Sequence, residues 1–350
     1  MPVPQHGGGQ LMLAMTTTLA AGLALLPCAA APREPVRLIF DTDMGNDIDD
    51  ALALALIHAL QSRGECRLLA VTLTKDNRYA APFVSLVNAF YGRGEIPIGV
   101  ARSGITPEDG SYTKAVVEAK EGNQPRYPTP LADWTQAPAA VPLLRRVLAA
   151  QPDGSVAIVQ VGFSTNLAGL LQSEPDEHSP LNGRELVRRK VRLLSPMAGA
   201  FSEALLAEGF KEYNIVNDLP AARHLFAEWP TPLVASGFEV GNALLYPARS
   251  IEQEFRYVAH HPVAEAYCAY APMPYDRPTW DLTSVLYAVR PEHGYFTLSP
   301  AGRITVSAEG VTRHTADAAG QHHYLQVPEG GAPRILEALQ LLCSQPPDRR

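Results

Sequence analysis

The chain has 350 residues, enough to bury a large core, and its composition carries no signature of a disordered or fibrous protein. Lys and Arg number 29 against 36 Asp and Glu, a formal charge of −7, and Arg188-Arg189-Lys190 is the most pronounced basic run. Both facts argue against a nucleic-acid surface.

The apolar run from Leu11 to Leu26 has the length of a signal-peptide core and is short for a membrane span. Small residues for cleavage follow in Cys28-Ala29-Ala30-Ala31. Residues 1–31 therefore read as an export signal, which predicts a periplasmic or secreted protein with no stable membrane span. No Lys or Arg precedes the run, and the proline in Leu25-Leu26-Pro27-Cys28 makes a poor lipoprotein pattern. Beyond it remain Cys66, Cys268 and Cys343, an odd number at wide spacing. That spacing carries no disulfide framework or zinc pattern, so each is expected to be a small buried hydrophobe.

The first predicted element, Val36 to Phe40 (VRLIF), is a buried strand, and Ala51 to Leu60 is the helix after it. Between them lie Asp41, Asp43, Asp47, Asp49 and Asp50, five carboxylates within ten residues. Like charges so close repel, and burial adds a desolvation cost. A hard cation such as calcium or magnesium, which prefers oxygen ligands, turns that repulsion into coordination. Capping of the first helical turn is the alternative, and it accounts for one or two of the five.

A strand at Arg67 to Leu73, a helix at Ala80 to Tyr91 and a strand at Ile96 to Val100 come next. This alternation predicts an α/β fold with a mostly parallel sheet covered by helices on both faces. From Ala101 to Gln136 the pattern lapses into Gly, Pro and charged residues, a surface excursion that could overhang the site. Its Tyr112, Tyr127 and Trp134 either contact a ligand or pack against the domain. A helix near Val141 to Ala150 and a buried strand at Ser155 to Val161 restore the order, followed by helical segments to Arg189. Strands at Val191 to Leu194 and Thr231 to Ala235 flank a helix opened by Pro220. Residues 251–289 read as helical, interrupted from Pro272 to Pro278 and restarted at Trp280-Asp281. After them, three alternating stretches with Gly-containing turns predict small C-terminal antiparallel hairpins. A last helix at Ala332 to Cys343 leaves 344–350 as a polar tail, and residues 32–343 read as one domain.

In a parallel α/β sheet the ligand lies beyond the carboxyl ends of the strands. The aspartate loop, Asn77, the Gly162 to Asn166 turn and Met197 each directly follow a predicted strand, so four stretches converge on one rim. Here the residues resemble a known family. DTDMGNDIDDALAL, Asn77, Gly162 to Asn166, Met197-Ala198-Gly199, Glu212-Tyr213-Asn214 and Trp280-Asp281 are similar, in order, to the motifs of the calcium-dependent, inosine/uridine-preferring nucleoside hydrolases. The resemblance spans about Val36 to Arg290.

The resemblance implies a nucleoside hydrolase-like fold with a Rossmann-like core, and hydrolysis of a ribonucleoside to ribose and free base. It implies Ca2+ held by the carboxylates of Asp43, Asp50 and Asp281 and by the Val161 carbonyl, with Asp43 as general base on a calcium-bound water. Asp49, Asn77, Glu212 and Asn214 would hold the sugar, with Met197 packed beneath it. Such a protein works on a small nucleoside or related glycoside, and many relatives form homodimers or homotetramers.

The chain departs from the family pattern in three places. Two extra residues lengthen the signature, where Asn46-Asp47-Ile48 stands between Gly45 and Asp49-Asp50, which makes Asp47 an alternative ligand to Asp49 or Asp50. Trp280 stands where part of the family has a histidine beside the leaving base; a tryptophan cannot donate that proton but can stack on a base, which favours purines. The stretch Phe201 to Lys211 contains no counterpart of the asparagine that meets the ribose 5′ end. The last two departures also suit an exported metal-dependent sugar- or nucleoside-binding protein, or a hydrolase of another glycoside. Asp41-Thr42-Asp43 resembles the paired aspartates of haloacid dehalogenase phosphatases as well, but Gly45-Asn46 lies where that chemistry needs Thr or Val and an apolar residue.

Overall fold

The computed structural model describes residues 1–5, 7–10 and 34–348. The chain divides into two units, Met1–Arg33 and Glu34–Arg350. Described residues of the first are exposed and without regular secondary structure. The expected signal core lies outside the described residues, and among the described ones no helix is long and apolar enough to cross a membrane.

The second unit opens with β1 (Val36–Thr42), α1 (Asp49–Ser62), β2 (Cys66–Leu73), α2 (Ala80–Phe90) and β3 (Ile98–Val100). The 101–136 excursion contains α3 (Ser111–Val117) and a short hairpin of β4 (Lys120–Glu121) and β5 (Gln124–Pro125). Then come α4 (Ala140–Ala149), β6 (Val156–Gln160), α5 (Thr165–Gln172), α6 (Gly183–Lys190), β7 (Val191–Pro196), α7 (Glu203–Ala207), α8 (Tyr213–Asn217), α9 (Leu219–Glu228) and β8 (Leu233–Ala235). After α10 (Phe238–Asn242), β9 (Leu245–Tyr246), α11 (Ala248–Gln253) and α12 (Pro262–Tyr270), β10 (Arg277–Pro278) leads into α13 (Trp280–Val289). The chain closes with β11 (Thr297–Leu298), β12 (Gly302–Val306), β13 (Thr312–Ala316), β14 (His322–Gln326) and α14 (Ala332–Cys343).

Strand β1 lies in the middle of the sheet, paired in parallel with β2 on one side and β6 on the other. Burial on both faces explains why Leu38, Ile39 and Phe40 form an apolar run with no alternation. The full order is β13-β12-β14-β8-β7-β6-β1-β2-β3, with β11 beside β14. From β3 to β8 every pairing is parallel. The C-terminal strands are antiparallel to one another as expected, but they form no separate subdomain: β14 pairs in parallel with β8 and extends the main sheet.

Helix α1 shows the same logic in helical form. Every residue from Asp49 to Leu60 is buried, and the helix packs against α13 and α14. A helix apolar on all sides has to be covered on all sides. Its first turn is the exception, since Asp49 and Asp50 begin it where the helix dipole favours negative charge. Of the cysteines, Cys66 and Cys343 are buried as expected, while Cys268 is exposed on α12.

Candidate active site and metal centre

The site lies beyond the carboxyl ends of β1, β6, β7 and β8, as a parallel sheet predicts. It is a cleft of about 350 Å³ lined by Asp43, Asn46, Asp47, Asp49, Asp50, Val161, Met197, Glu212, Tyr213, Asn214, Phe238, Tyr270, Arg277, Trp280 and Asp281. Of the sequence-derived candidates, all but Asn77 reach it.

The loop after β1 is fixed from three sides. Gly45 takes a φ of 114°, open to glycine at little cost. Its N–H donates to the Tyr112 hydroxyl at 2.7 Å, and that hydroxyl donates to the Asp47 carbonyl at 2.7 Å. Tyr112, fully buried in the first turn of α3, thus anchors the loop and does not line the cleft; neither do Tyr127 and Trp134. Lys75, at the end of β2, donates to the Asn46 side chain at 2.8 Å and to the Thr106 carbonyl at 2.6 Å.

Five aspartates are buried here: Asp41, Asp43, Asp49, Asp50 and Asp281. Asp41 points back into the sheet, accepting from Thr72 at 2.6 Å and Asn166 at 2.8 Å. Burial pushes its pKa up to about 7. Asp43 accepts from the Asn46 amide at 2.8 Å, and burial raises its pKa too. Asp50 accepts from the Thr42 hydroxyl, and Asp49 from the Asp281 backbone N–H at 3.0 Å. For Asp49, Asp50 and Asp281, burial and then the repulsion of neighbouring aspartates hold the pKa well above the usual carboxylate range.

These three carboxylates present oxygens within 4.8 Å of one another. No Lys, Arg or His forms an ion pair with any of them among the described residues. The nearest basic groups are engaged elsewhere, Arg277 with Asp47 and Lys75 with the loop and Glu108. A hard divalent cation fits that donor set: it matches the oxygen chemistry and supplies the missing positive charge. The group comprises Asp49, Asp50 and Asp281, and Asp43 lines the same cleft.

Asp47, in the lengthened signature, is not one of the three. Its carboxylate pairs with Arg277, whose Nε donates at 2.8 Å and whose Nη2 also donates. Asn77 is not in the cleft either. Its side-chain amide donates to the carbonyls of Pro107 and Glu108, both at 3.0 Å, and its oxygen caps Tyr79 N at 2.7 Å. Its side chain braces the 107–109 loop.

Glu212, also lining the cleft, caps α8, accepting from the N–H groups of Asn214 at 2.8 Å, Ile215 at 3.1 Å and Gly199 at 3.2 Å. Burial outweighs these bonds and lifts its pKa to about 7. Asn214 donates to the carbonyls of Val161 at 2.8 Å and Met197 at 3.1 Å, tying the ends of β6 and β7 together. Trp280 forms an aromatic wall with Phe238, ring centroids 5.4 Å apart, and its Nε1–H donates to the Phe238 carbonyl at 2.9 Å. Sequence reasoning missed Asn46, Tyr213, Phe238, Tyr270 and Arg277. The mismatch of signature length was the one available signal for Asn46 and, through Asp47, for Arg277.

Residues 38–329 match the family model of the inosine-uridine preferring nucleoside hydrolases. The chain belongs to that family. It is accordingly an N-glycosyl hydrolase of the nucleoside hydrolase type, in a metal-dependent family, with a buried aspartate cluster able to hold the ion. No curated protein matches it in sequence. Solved nucleoside hydrolases share its fold. The purine-preferring ribonucleoside hydrolase of Gardnerella vaginalis superposes with a TM-score of 0.64 at 18% identity, over 88% of this chain and 98% of its own. The inosine-uridine preferring enzyme of Bacillus anthracis gives 0.64 at 16%, over 88% and 99%. The type III effector XopQ, solved with adenosine diphosphate ribose, gives 0.61 at 17%, over 89% and 95%.

For this nucleoside hydrolase the buried carboxylates predict a pH-dependent response to metal. Their folded pKa values lie above the unfolded ones, so the metal-free fold loses stability as pH rises from the usual carboxylate range through the raised values. A bound cation favours the ionised form and reverses that loss. A divalent ion at a fixed concentration, about 100 times its Kd at about pH 8, should stabilise by about 2.7 kcal/mol there and raise Tm less near about pH 5. Scanning fluorimetry of chelator-stripped protein reads this directly, and equal rises at both pH values would contradict it.

Proposed function

We propose that the chain hydrolyses the N-glycosidic bond of ribonucleosides, purine nucleosides foremost, with Ca2+ at the aspartate cluster. One observation carries the reading: buried Asp49, Asp50 and Asp281 share a cleft with Asp43 and with Trp280 and Phe238. The carboxylates suit a sugar that gains positive charge as its bond to the base breaks. The aromatic rings suit a flat, apolar base.

In this reading Asp49, Asp50 and Asp281 hold calcium, with the Val161 carbonyl and Asp43 completing an oxygen shell. Calcium is preferred to magnesium because it accepts many oxygen ligands, carboxylate and backbone carbonyl alike, in a flexible geometry. When bound, the ion lowers the pKa of water. Asp43 takes the proton from the attacking water and, with its neighbours, stabilises the cationic sugar. Glu212 and Asn214 line the ribose side, with Met197 beneath. Residues 32–343 form the hydrolase domain, residues 1–31 direct export to the periplasm or beyond, and association into homodimers or homotetramers belongs to the same proposal.

A second reading has one observation in its favour. No residue of 201–211 lines the cleft, so nothing from that segment meets the far end of a ribose. A larger glycoside, or binding without turnover, fits such an end; adenosine diphosphate ribose, the ligand of XopQ, is a suitable probe. Reducing-sugar release should be measured from purine and pyrimidine ribosides and from adenosine diphosphate ribose, with calcium and with excess chelator. Chelator-sensitive release, fastest from purine ribosides, is the expected result. No release from any riboside despite tight calcium binding would overturn the first reading.

A further inference from the structure

Arg277 is the one basic residue lining the cleft among the described residues. Its guanidinium is held on two edges. The Asp47 carboxylate receives Nε and Nη2, and the Arg277 Cζ lies 5.0 Å from the Tyr270 ring centroid and 5.3 Å from that of Trp280. The third edge, Nη1, bonds to none of the described residues. We propose that Arg277 is a leaving-group residue: its Nη1 donates to an exocyclic oxygen of the departing base, and the site therefore prefers oxo-purines to aminopurines. The inference rests on the hydrolase reading above and names the substrate class within it.

Three features of the chain support the assignment. The first is the composition of the wall. No histidine lines the cleft, and the Trp280 Nε1–H already donates to the Phe238 carbonyl, so neither supplies a donor to the base. Second, Arg277 stands on the Trp280 side of the cleft, stacked with the rings that suit a base. Third, the partner that fixes it, Asp47, comes from the lengthened signature loop, 230 positions away. The longer loop and the absent histidine thus become parts of one arrangement.

An arginine stays protonated throughout, so Arg277 acts by charge and hydrogen bonding and not by proton transfer. The oxygen of water forms its bond to C1′ as the C1′–N bond breaks, and the bonding pair passes into the base ring. In a 6-oxopurine much of that charge collects on the exocyclic oxygen, where a guanidinium N–H strengthens its bond as the charge grows. The water proton goes to Asp43 and is later released, while the base takes a proton from solvent. Nucleoside and water give ribose and neutral base. Adenine presents an amino group in place of that oxygen, which offers Nη1 no comparable acceptor.

The test compares Arg277→Met, Arg277→Lys and Asp47→Asn with the unaltered protein on inosine, adenosine and p-nitrophenyl riboside. The nitrophenolate group leaves unaided, so its riboside reports whether the rest of the site is intact. Loss of a charge-assisted bond predicts a fall of about 10- to 100-fold in kcat/KM for inosine in Arg277→Met. Adenosine and p-nitrophenyl riboside should change by less than about threefold, because one offers Nη1 no acceptor oxygen and the other leaves unaided. Arg277→Lys restores the charge without the fork and should recover only part of the loss, and Asp47→Asn should weaken inosine cleavage selectively by loosening the guanidinium. Equal loss on all three substrates, or none on inosine, would overturn the inference and leave the hydrolase reading intact. Failure of the unaltered protein on all three would overturn that reading and this inference together.

Discussion

Asp43→Asn is expected to lower kcat for riboside cleavage by about 10²- to 10⁴-fold, the range a positioned general base contributes. The substitution keeps the shape of the side chain. Its amide oxygen can still accept from the Asn46 amide, which donates to Asp43 at 2.8 Å. What disappears is the basic oxygen and one negative charge at the sugar side of the cleft. The three carboxylates within 4.8 Å of one another are Asp49, Asp50 and Asp281, so most of the metal's donor set survives the change. The expected result is therefore a split: kcat collapses while calcium still raises the Tm. Steady-state kinetics beside a calcium titration followed by scanning fluorimetry would show it. A kcat within about tenfold of the unaltered value would remove Asp43 from the base role, because a general base is worth more than that. Joint loss of turnover and calcium response would instead make Asp43 chiefly a ligand, one of the two roles the family resemblance implies.

That ambiguity marks the boundary between what the sequence discloses and what it does not. The core of the fold is legible because burial on both faces writes itself as runs such as VRLIF and SVAIVQV, and strand followed by helix implies a parallel sheet. From there the rim follows, since polar residues directly after such strands have one place to go. Partnership over long distances is not written this way. His323 to Val327 reads as a strand, but nothing local states that it lies parallel to β8 and not in a free-standing hairpin. Helix α3 hides among the glycines and prolines of 101–136 because it spans only seven residues and its burial comes from tertiary contact.

The same limit governs the site. Arg277 sits between Asp276 and Pro278 in a stretch that reads as punctuation, and its role appears only once Asp47 is beside it. Asn77 shows the converse. Its position after β2 matches the family motif, yet the loop at 107–109 draws its amide away, a contact invisible without knowing where that loop returns.

Gly162→Ala should damage stability and catalysis together. Gly162 ends β6 where the chain crosses the mouth of β1, and a Cβ there would lie 2.3 Å from the Thr74 hydroxyl, 2.5 Å from the Asp43 backbone nitrogen and 2.8 Å from the Thr42 carbonyl carbon. Two of these neighbours are backbone and cannot rotate aside. The Thr74 hydroxyl, which could move, is held by its own bonds: it receives the Phe163 N–H at 3.1 Å and donates to the Thr42 carbonyl at 3.3 Å. Relief therefore requires the ends of β1 and β6 to separate. Overpacking of this kind costs about 1–3 kcal/mol, and in a domain of this size each kcal/mol lowers Tm by about 2–4 °C. The catalytic consequence is larger, because the atoms displaced carry Asp43 on one strand and the Val161 carbonyl on the other. A shift near about 1 Å in such groups costs about 100-fold in rate. Thermal melts with kinetics on the same preparation would test the coupling. A variant that melts several degrees lower yet turns over at the original rate would show that β1 yields without moving Asp43, and the loop would then owe its position to Tyr112 and Lys75 and not to the close approach of the two strands.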